Sequence, residues 1–314
     1  MNIKEMPKVL LHIHLDGSVR IETLNELLNQ DMHSLVTTNK NVHSLKDYLT
    51  KFELPLSVMQ TSANITRITS ELLDDLEKEN IIYAEIRFAP FFHTKEGLSL
   101  EEVVESVLKG TYNKKIKVKL ILCMMRGDKE ENNNQVIDLA LKYLNKGVGG
   151  IDLAGNEAKY PNTLYQTLFK RLYSLNIPFT IHAGEGDSYK SIDSALSFKT
   201  KRIGHGVNCI QSEETMKRLL LNKVTLEVCP TSNIDTCIVD DYSLHPVKKL
   251  YDLGLSITIN TDNNTVSNIN LTKEYEKLVK YFNFKKEDFK KMNLNAIEAS
   301  FLNDKEKKHL KELL

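Results

Sequence analysis

Eight short apolar runs alternating with amphipathic stretches predict an α/β chain folded as a (β/α)8 barrel of the TIM type, with extra helices over the barrel mouth and at the C-terminus. Two further observations agree. Residues able to do chemistry fall at the C-terminal ends of the runs, where barrel sites are built. No Gly-x-Gly-x-x-Gly follows an early run to support the alternative, an open doubly wound sheet. The runs are Val9–Leu15, Ile81–Ala89, Val118–Met125, Gly149–Ala154, Phe179–Ala183, Arg202–Gly206, Val224–Cys229 and Leu255–Thr261. Their brevity and β-branched content suit parallel strands covered on both faces.

Helical patterns lie between them. Ser99 with Glu102 reads as a capping box that opens a helix toward Tyr112. Asn162–Leu175 repeats Leu164, Leu168, Phe169, Leu172 and Leu175 at helical spacing, and Ser212–Leu221 and Leu271–Phe282 behave alike. The segment from about 21 to 76 is too long for one crossover, and its short helical pieces, Ser44–Leu49 among them, are expected to decorate the barrel mouth. Lys286–Ala299 and Asp304–Leu314 read as a lysine-rich pair of helices packed outside, with a solvated charged face. Residues 1–314 are expected to form a single domain, with no internal repeat or low-complexity linker.

The 314 residues carry 42 Lys plus Arg against 42 Asp plus Glu, a balance that excludes the cationic surface needed for nucleic acid or an anionic membrane. With 41% hydrophobic and 27% charged residues, the chain can bury a sizeable core. Cys123, Cys209, Cys229 and Cys237 form neither a disulfide framework nor a CxxC pair. The N-terminus lacks a signal-peptide pattern and no apolar run is long enough to span a bilayer, so a cytoplasmic protein is expected.

Four strand ends carry chemical capacity. His12 and His14 stand at i and i+2, which points both imidazoles to one face of a strand; such a pair alone is equally explained by two satisfied histidines. His182-Ala183-Gly184-Glu185 ends the fifth run, its small residues leaving room for a ligand. His205, flanked by Gly204 and Gly206, ends the sixth. Asp262 follows an apolar run and is costly to bury unless paired or bound to metal. Three histidines and one carboxylate form a plausible nitrogen/oxygen site for a borderline divalent ion such as Zn²⁺. His33, His43, His93, His245 and His309 read as bystanders.

The stretches Leu11–Ser18, Asp152–Glu157, Thr180–Glu185, Arg202–Gly206 and Asn260–Asp262, in this order and across most of the chain, resemble the adenosine deaminase family of the amidohydrolase superfamily. The resemblance implies one zinc ion per chain on His12, His14, His182 and Asp262, which lowers the pKa of its water from about 15.7 to about 7. It implies Glu185 as the proton donor to purine N1 and His205 as the residue that orients the attacking water and supports its deprotonation. It places His14, Asp16, Gly155 and Asn263 against the substrate, with Asp16 on a ribose hydroxyl and the Gly155 N–H on purine N3. Tyr48, Leu49 and Phe52 resemble the family's apolar lid, and equally fit a helix face packing on its neighbours.

One position departs from the family pattern. Many members follow the zinc aspartate with a second Asp; here it is Asn263. Purine N7 only accepts hydrogen bonds, and an amide donates to it without needing to be protonated first; equally, Asn263 fits a cap on the strand-to-loop turn. The implied activity is hydrolytic deamination of adenosine and 2′-deoxyadenosine to inosine, 2′-deoxyinosine and ammonia, in purine salvage. The rivals are a deaminase of adenine or aminodeoxyfutalosine, and a zinc-binding barrel that no longer catalyses. The presence of Glu185 and His205, which metal binding alone does not require, speaks against the last. The nucleic-acid editing deaminases are excluded, since Cys229-Pro230 has no partner thiolate two residues on.

Overall fold

A computed structural model describes residues 2–38 and 45–314. His43 and Ser44, named above, lie outside the described residues. The strands are β1 (Lys8–His14), β2 (Ile81–Phe88), β3 (Lys117–Met125), β4 (Val148–Ala154), β5 (His182–Ala183), β6 (Arg202–His205), β7 (Thr225–Val228) and β8 (Ser256–Ile259). All neighbouring strands pair in parallel, in the orders β1-β2-β3-β4 and β5-β6-β7-β8. Two seams close the halves into a barrel. At one, Ile151 N–H donates to Pro178 O (3.0 Å) and Thr180 N–H to Ile151 O (2.9 Å). At the other, Asp262 N–H donates to His12 O (3.0 Å) and His14 N–H to Asp262 O (2.7 Å).

The fifth expected run is extended throughout but bonds to β4 first and to β6 only from Ile181 onward, so its regular ladder is just two residues long. In β1 the pairing with β2 slips between Leu10 and Ile13, where three steps along β1 match two along β2, from Ala84 to Ile86. This extra residue is a β-bulge, and the Asn260 Oδ1 accepts from both Leu11 N–H (2.9 Å) and His12 N–H (3.1 Å). Side chains alternate along a strand, so the bulge shifts their parity. Val9 and Leu11 pack with Tyr83 and the C-terminal helices, while His12 and His14 face the site at the strand's other end.

The helices are α1 (Ile21–Leu28), α2 (His33–Val36), α3 (Leu45–Leu49), α4 (Glu53–Val58), α5 (Ser62–Lys78), α6 (Leu100–Gly110), α7 (Glu130–Tyr143), α8 (Gln166–Ser174), α9 (Tyr189–Ser197), α10 (Glu213–Leu221), α11 (Pro230–Asp235), α12 (Val247–Asp252), α13 (Leu271–Phe282), α14 (Lys286–Ala299) and α15 (Asp304–Leu313). The expected capping box on Ser99 and Glu102 is present at the start of α6. Within the long segment after β1, α5 packs on β2 and α6 and so serves as the first barrel crossover. The shorter α1–α4 form the decoration. The final pair is more than a solvated tail. Phe289, Met292, Ala296 and Ile297 of α14 are buried, and Asn293 Oδ1 accepts from Val9 N–H at 2.8 Å. The lysines around them, Lys285, Lys286, Lys290 and Lys291, remain exposed as the sequence suggests. Among the described residues, no helix is long and apolar enough to cross a membrane.

Candidate active site

The ends of β1, β5, β6 and the residues just past β8 bring His12, His14, His182, His205 and Asp262 together. Ring centroids of His12 lie 5.4 Å from His14, 4.6 Å from His182 and 4.9 Å from His205. Asp262 Oδ1 sits 3.2 Å from His12 Nε2 and 3.3 Å from His14 Nε2. His12, His182, His205 and Asp262 form a group able to hold a metal ion, with ligand atoms all within 4.8 Å of one another. His205, rather than His14, which the resemblance implies as a ligand, completes that group. Both Asp262 and His205 adopt left-handed backbone (φ 61° each), an uncommon state for non-glycine residues that persists where neighbours enforce it. For Asp262 the enforcing contacts are the two seam hydrogen bonds to β1.

Below the cluster lies a buried ionic network that fixes the imidazoles. His12 Nδ1 is 3.0 Å from Glu227 Oε2, and His182 Nδ1 is 2.8 Å from Asp152 Oδ2. Arg87 joins the two carboxylates, donating to Asp152 and Glu227 at 2.8 Å each and to Leu11 O at 2.7 Å. Arg202 donates to the other Glu227 oxygen at 2.7 Å and also pairs with Glu85. All five charged residues are fully buried. Burial alone opposes ionisation of Glu227, yet the Arg202 and Arg87 guanidiniums hold its carboxyl well below the usual range. Burial likewise opposes Asp152, and His182 with Arg87 outweighs it. An ionised carboxylate at Nδ1 keeps the proton there and leaves the Nε2 lone pair free, the state a metal ligand requires.

The donor set fits a divalent ion. His12 Nε2 is buried and has no hydrogen-bond partner among the described residues. Asp262 Oδ2 takes the Ser232 hydroxyl at 2.6 Å, leaving Oδ1 for the cluster. Three imidazoles with one carboxylate make a buried His/His/His/Asp group compatible with a metal site.

Glu185 follows β5 in a loop held by a second carboxylate. Glu157 accepts from the N–H groups of Gly184 (3.0 Å), Glu185 (2.6 Å) and Asp187 (3.0 Å), and from the Ser191 hydroxyl (2.7 Å). Gly184 has φ +69°, and an added Cβ would stand 2.4 Å from Ile192 Cδ1, so no other residue fits without displacement. Burial, then the Asp262 and Glu157 carboxylates, push the Glu185 carboxyl well above its ordinary value. His205 Nε2 is 3.6 Å from Glu185 Oε2. Its Nδ1 lies 3.1 Å from Asn233 Nδ2, and Asn233 Oδ1 lies 3.2 Å from His245 Nε2. His245, a bystander by sequence, is thus tied to the cluster through one intermediate. His93 is buried and, among the described residues, hydrogen-bonds to Met59 O at 3.0 Å.

Above the cluster opens a cavity of about 260 Å³. Asp16, Gly155, Glu185 and Asn263 line it beside His14, His182, His205 and Asp262. Tyr48, Leu49, Phe52, Leu56, Phe92 and Met125 supply apolar walls, and Ala89, Cys123 and Ala154 a floor of small side chains. Asp16 is buried, with Oδ1 unpartnered among the described residues, and burial raises its carboxyl to about 7. Tyr48 is not purely an apolar cover. Its hydroxyl accepts from Asn263 Nδ2 at 2.9 Å and lies 3.0 Å from Ser267 Oγ. Asn263 Oδ1 packs over Gly17, where a Cβ would approach it to 1.8 Å. Gly17→Ala is therefore expected to expel the Asn263 amide, raising KM by about tenfold, the scale of one or two lost hydrogen bonds. Steady-state kinetics on the folded variant check this.

The sequence reading named Asp16, Gly155, Glu185 and Asn263 of this lining but missed Glu53 and the supports. Arg87, Asp152 and Glu227 are each a charge inside an apolar run, the same signal that marked Asp262. Asn260 and Glu157 lie in stretches that carried the resemblance, without a role of their own.

A family model described as "Adenosine deaminase" matches residues 7–314. A Clostridium acetobutylicum protein named "Adenosine deaminase" is 44% identical over 330 residues, covering 99% of this chain and 98% of that one. A Clostridium perfringens protein of the same name is 40% identical over 327 residues, covering 99% and 98%. Among solved structures, an Arabidopsis N6-mAMP deaminase superposes with TM-score 0.90 at 29% identity, covering 99% of this chain and 98% of that one. An adenine deaminase from Arthrobacter aurescens superposes with TM-score 0.88 at 25% identity, covering 98% and 97%. With this site geometry and a match over nearly its full length, the chain belongs to the adenosine deaminase family.

Proposed function

We propose that the protein is a zinc-dependent adenosine deaminase, converting adenosine and 2′-deoxyadenosine with water into inosine, 2′-deoxyinosine and ammonia. The observation that carries this reading is a buried carboxyl, Glu185, lining the same cavity as the His/His/His/Asp cluster. His12, His14, His182 and Asp262 would hold the zinc ion, with Glu227 and Asp152 fixing two of the imidazoles. Bound there, zinc supplies a water acidified enough to attack at neutral pH. Glu185 delivers its proton to purine N1 and so makes C6 electrophilic. His205 orients the attacking oxygen. The Gly155 N–H meets N3, the Asn263 amide meets N7, and Asp16 holds a ribose hydroxyl. The apolar walls around Tyr48, Leu49 and Phe52 exclude bulk water.

The lining favours a nucleoside over a nucleotide. Among the described lining residues there is no Lys or Arg, and Asp16 and Glu53 are acidic. Among these residues a 5′-phosphate meets no Lys or Arg and two acidic side chains, which disfavours it. Adenosine is therefore expected to exceed AMP by at least ~10²-fold in kcat/KM, followed as the change in purine absorbance. Chelation should abolish turnover and added Zn²⁺ restore it. A zinc-loaded protein that released no ammonia from any 6-aminopurine would sink the assignment.

A further inference from the structure

We propose that a hydrogen-bond relay from the Val247 amide through His245 and Asn233 fixes His205 as the tautomer protonated on Nε2. In this state His205 donates a hydrogen bond to the attacking oxygen, and the proton which that oxygen loses leaves to solvent through the cavity instead of passing to His205. The inference rests on the deaminase reading for its catalytic meaning, though not for the tautomer itself.

The direction of the relay follows from one group that cannot be reversed. A backbone N–H only donates, and Val247 N–H meets His245 Nδ1 at 3.1 Å. A neutral imidazole accepting at Nδ1 carries its proton on Nε2. That nitrogen lies 3.2 Å from an Asn233 side-chain atom, which must then be the carbonyl oxygen. Turning the amide over would set its NH2 against the His245 N–H. Moving the His245 proton to Nδ1 to relieve that clash would set it against the Val247 amide. With Oδ1 committed to His245, Asn233 Nδ2 donates to His205 Nδ1 at 3.1 Å. His205 cannot carry a proton on Nδ1 without opposing this donor, so its single proton is on Nε2. Asn233, His205 and His245 are at most 3% exposed, so a mismatched donor or acceptor in the chain is costly.

His205 belongs to the histidine and aspartate cluster, and its Nε2 faces Glu185 Oε2 at 3.6 Å. Its N–H is aimed where negative charge gathers on oxygen as C6 is attacked, a placement that stabilises the transition state. A general base would need the Nε2 lone pair, which this tautomer lacks. Asn233 and His245 are accordingly positioning residues, acting on the reaction only through His205.

Long-range ¹H–¹⁵N correlation of the zinc-loaded full chain reads the tautomer directly, with His205→Gln to assign the signal. The expected pattern has His205 protonated at Nε2 and bare at Nδ1; protonation at Nδ1 overturns the relay. Asn233→Asp keeps the shape and replaces the donor by an acceptor. It is expected to place a proton on His205 Nδ1 and to lower kcat at least ~tenfold, with zinc content retained and KM within about twofold. A variant with unchanged kcat, zinc bound and Nδ1 protonated would refute the donor role. A wild-type chain that deaminates no 6-aminopurine would instead refute the deaminase reading, and the spectrum would still decide the tautomer.

Discussion

Glu185→Gln is expected to lower kcat by ~10²–10⁴-fold, the usual contribution of a positioned proton donor, while zinc content and thermal stability stay close to wild type. The amide keeps the carboxyl's shape and its place in the loop held by Glu157, but has no proton to give to N1. Because burial first, then Asp262 and Glu157, raise the Glu185 pKa, the donor is present below that raised value and is lost as pH rises through it. Wild-type kcat should therefore fall on the alkaline side. In Glu185→Gln that limb should vanish along with most of the rate. Steady-state pH profiles with zinc quantified in parallel test both points. A variant that kept wild-type turnover would remove Glu185 from the chemistry.

Glu227→Gln is expected to damage stability and metal affinity together. Glu227 receives His12, Arg87, Arg202 and the Thr180 hydroxyl at 2.7–3.0 Å, all inside the barrel. Removing its charge leaves two buried guanidiniums short of a partner, and breaking a buried pair costs about 3–5 kcal/mol. For a chain of this size that lowers Tm by roughly 5–8 °C. The amide also cannot hold the His12 proton on Nδ1 as a carboxylate does, so zinc affinity should fall by ~10–100-fold. Glu85→Gln separates the two effects. Glu85 pairs with Arg202 and accepts from Tyr83, away from the histidines. It should lower Tm and leave zinc binding alone. Calorimetry and competitive zinc titration distinguish the outcomes.

These two residues also mark how far the sequence could be read. Glu185 was legible because it follows a strand end, in a run whose small residues announce a ligand. The strands themselves were legible from their apolar brevity, and the helices from their caps and spacing; Leu271–Phe282 and Lys286–Ala299 have the limits the spacing predicts. Glu227 was not legible, because its partners come from β1, β2 and β6 and only closure of the barrel brings them within reach. The link between His245 and His205 escaped for the same reason: it passes through Asn233, 12 residues from one and 28 from the other. The β1 bulge left no mark in the hydrophobic pattern, since the residues on either side of it are all apolar or part of the site. Tyr48 looked like a cover because an aromatic on a lid helix packs well whatever its hydroxyl does.

His12, His14 and Asp262 exchange the main-chain hydrogen bonds that buckle the first strand to the last, and Asn260 tightens the same clasp with its carboxamide. Completing the hoop and assembling the reactive centre are therefore one event, involving the same few atoms. A half-wound sheet has no partial centre. Amide deuteration at His14 and Asp262 reports on the hoop springing open, because those protons are released only when the two ends of the chain part.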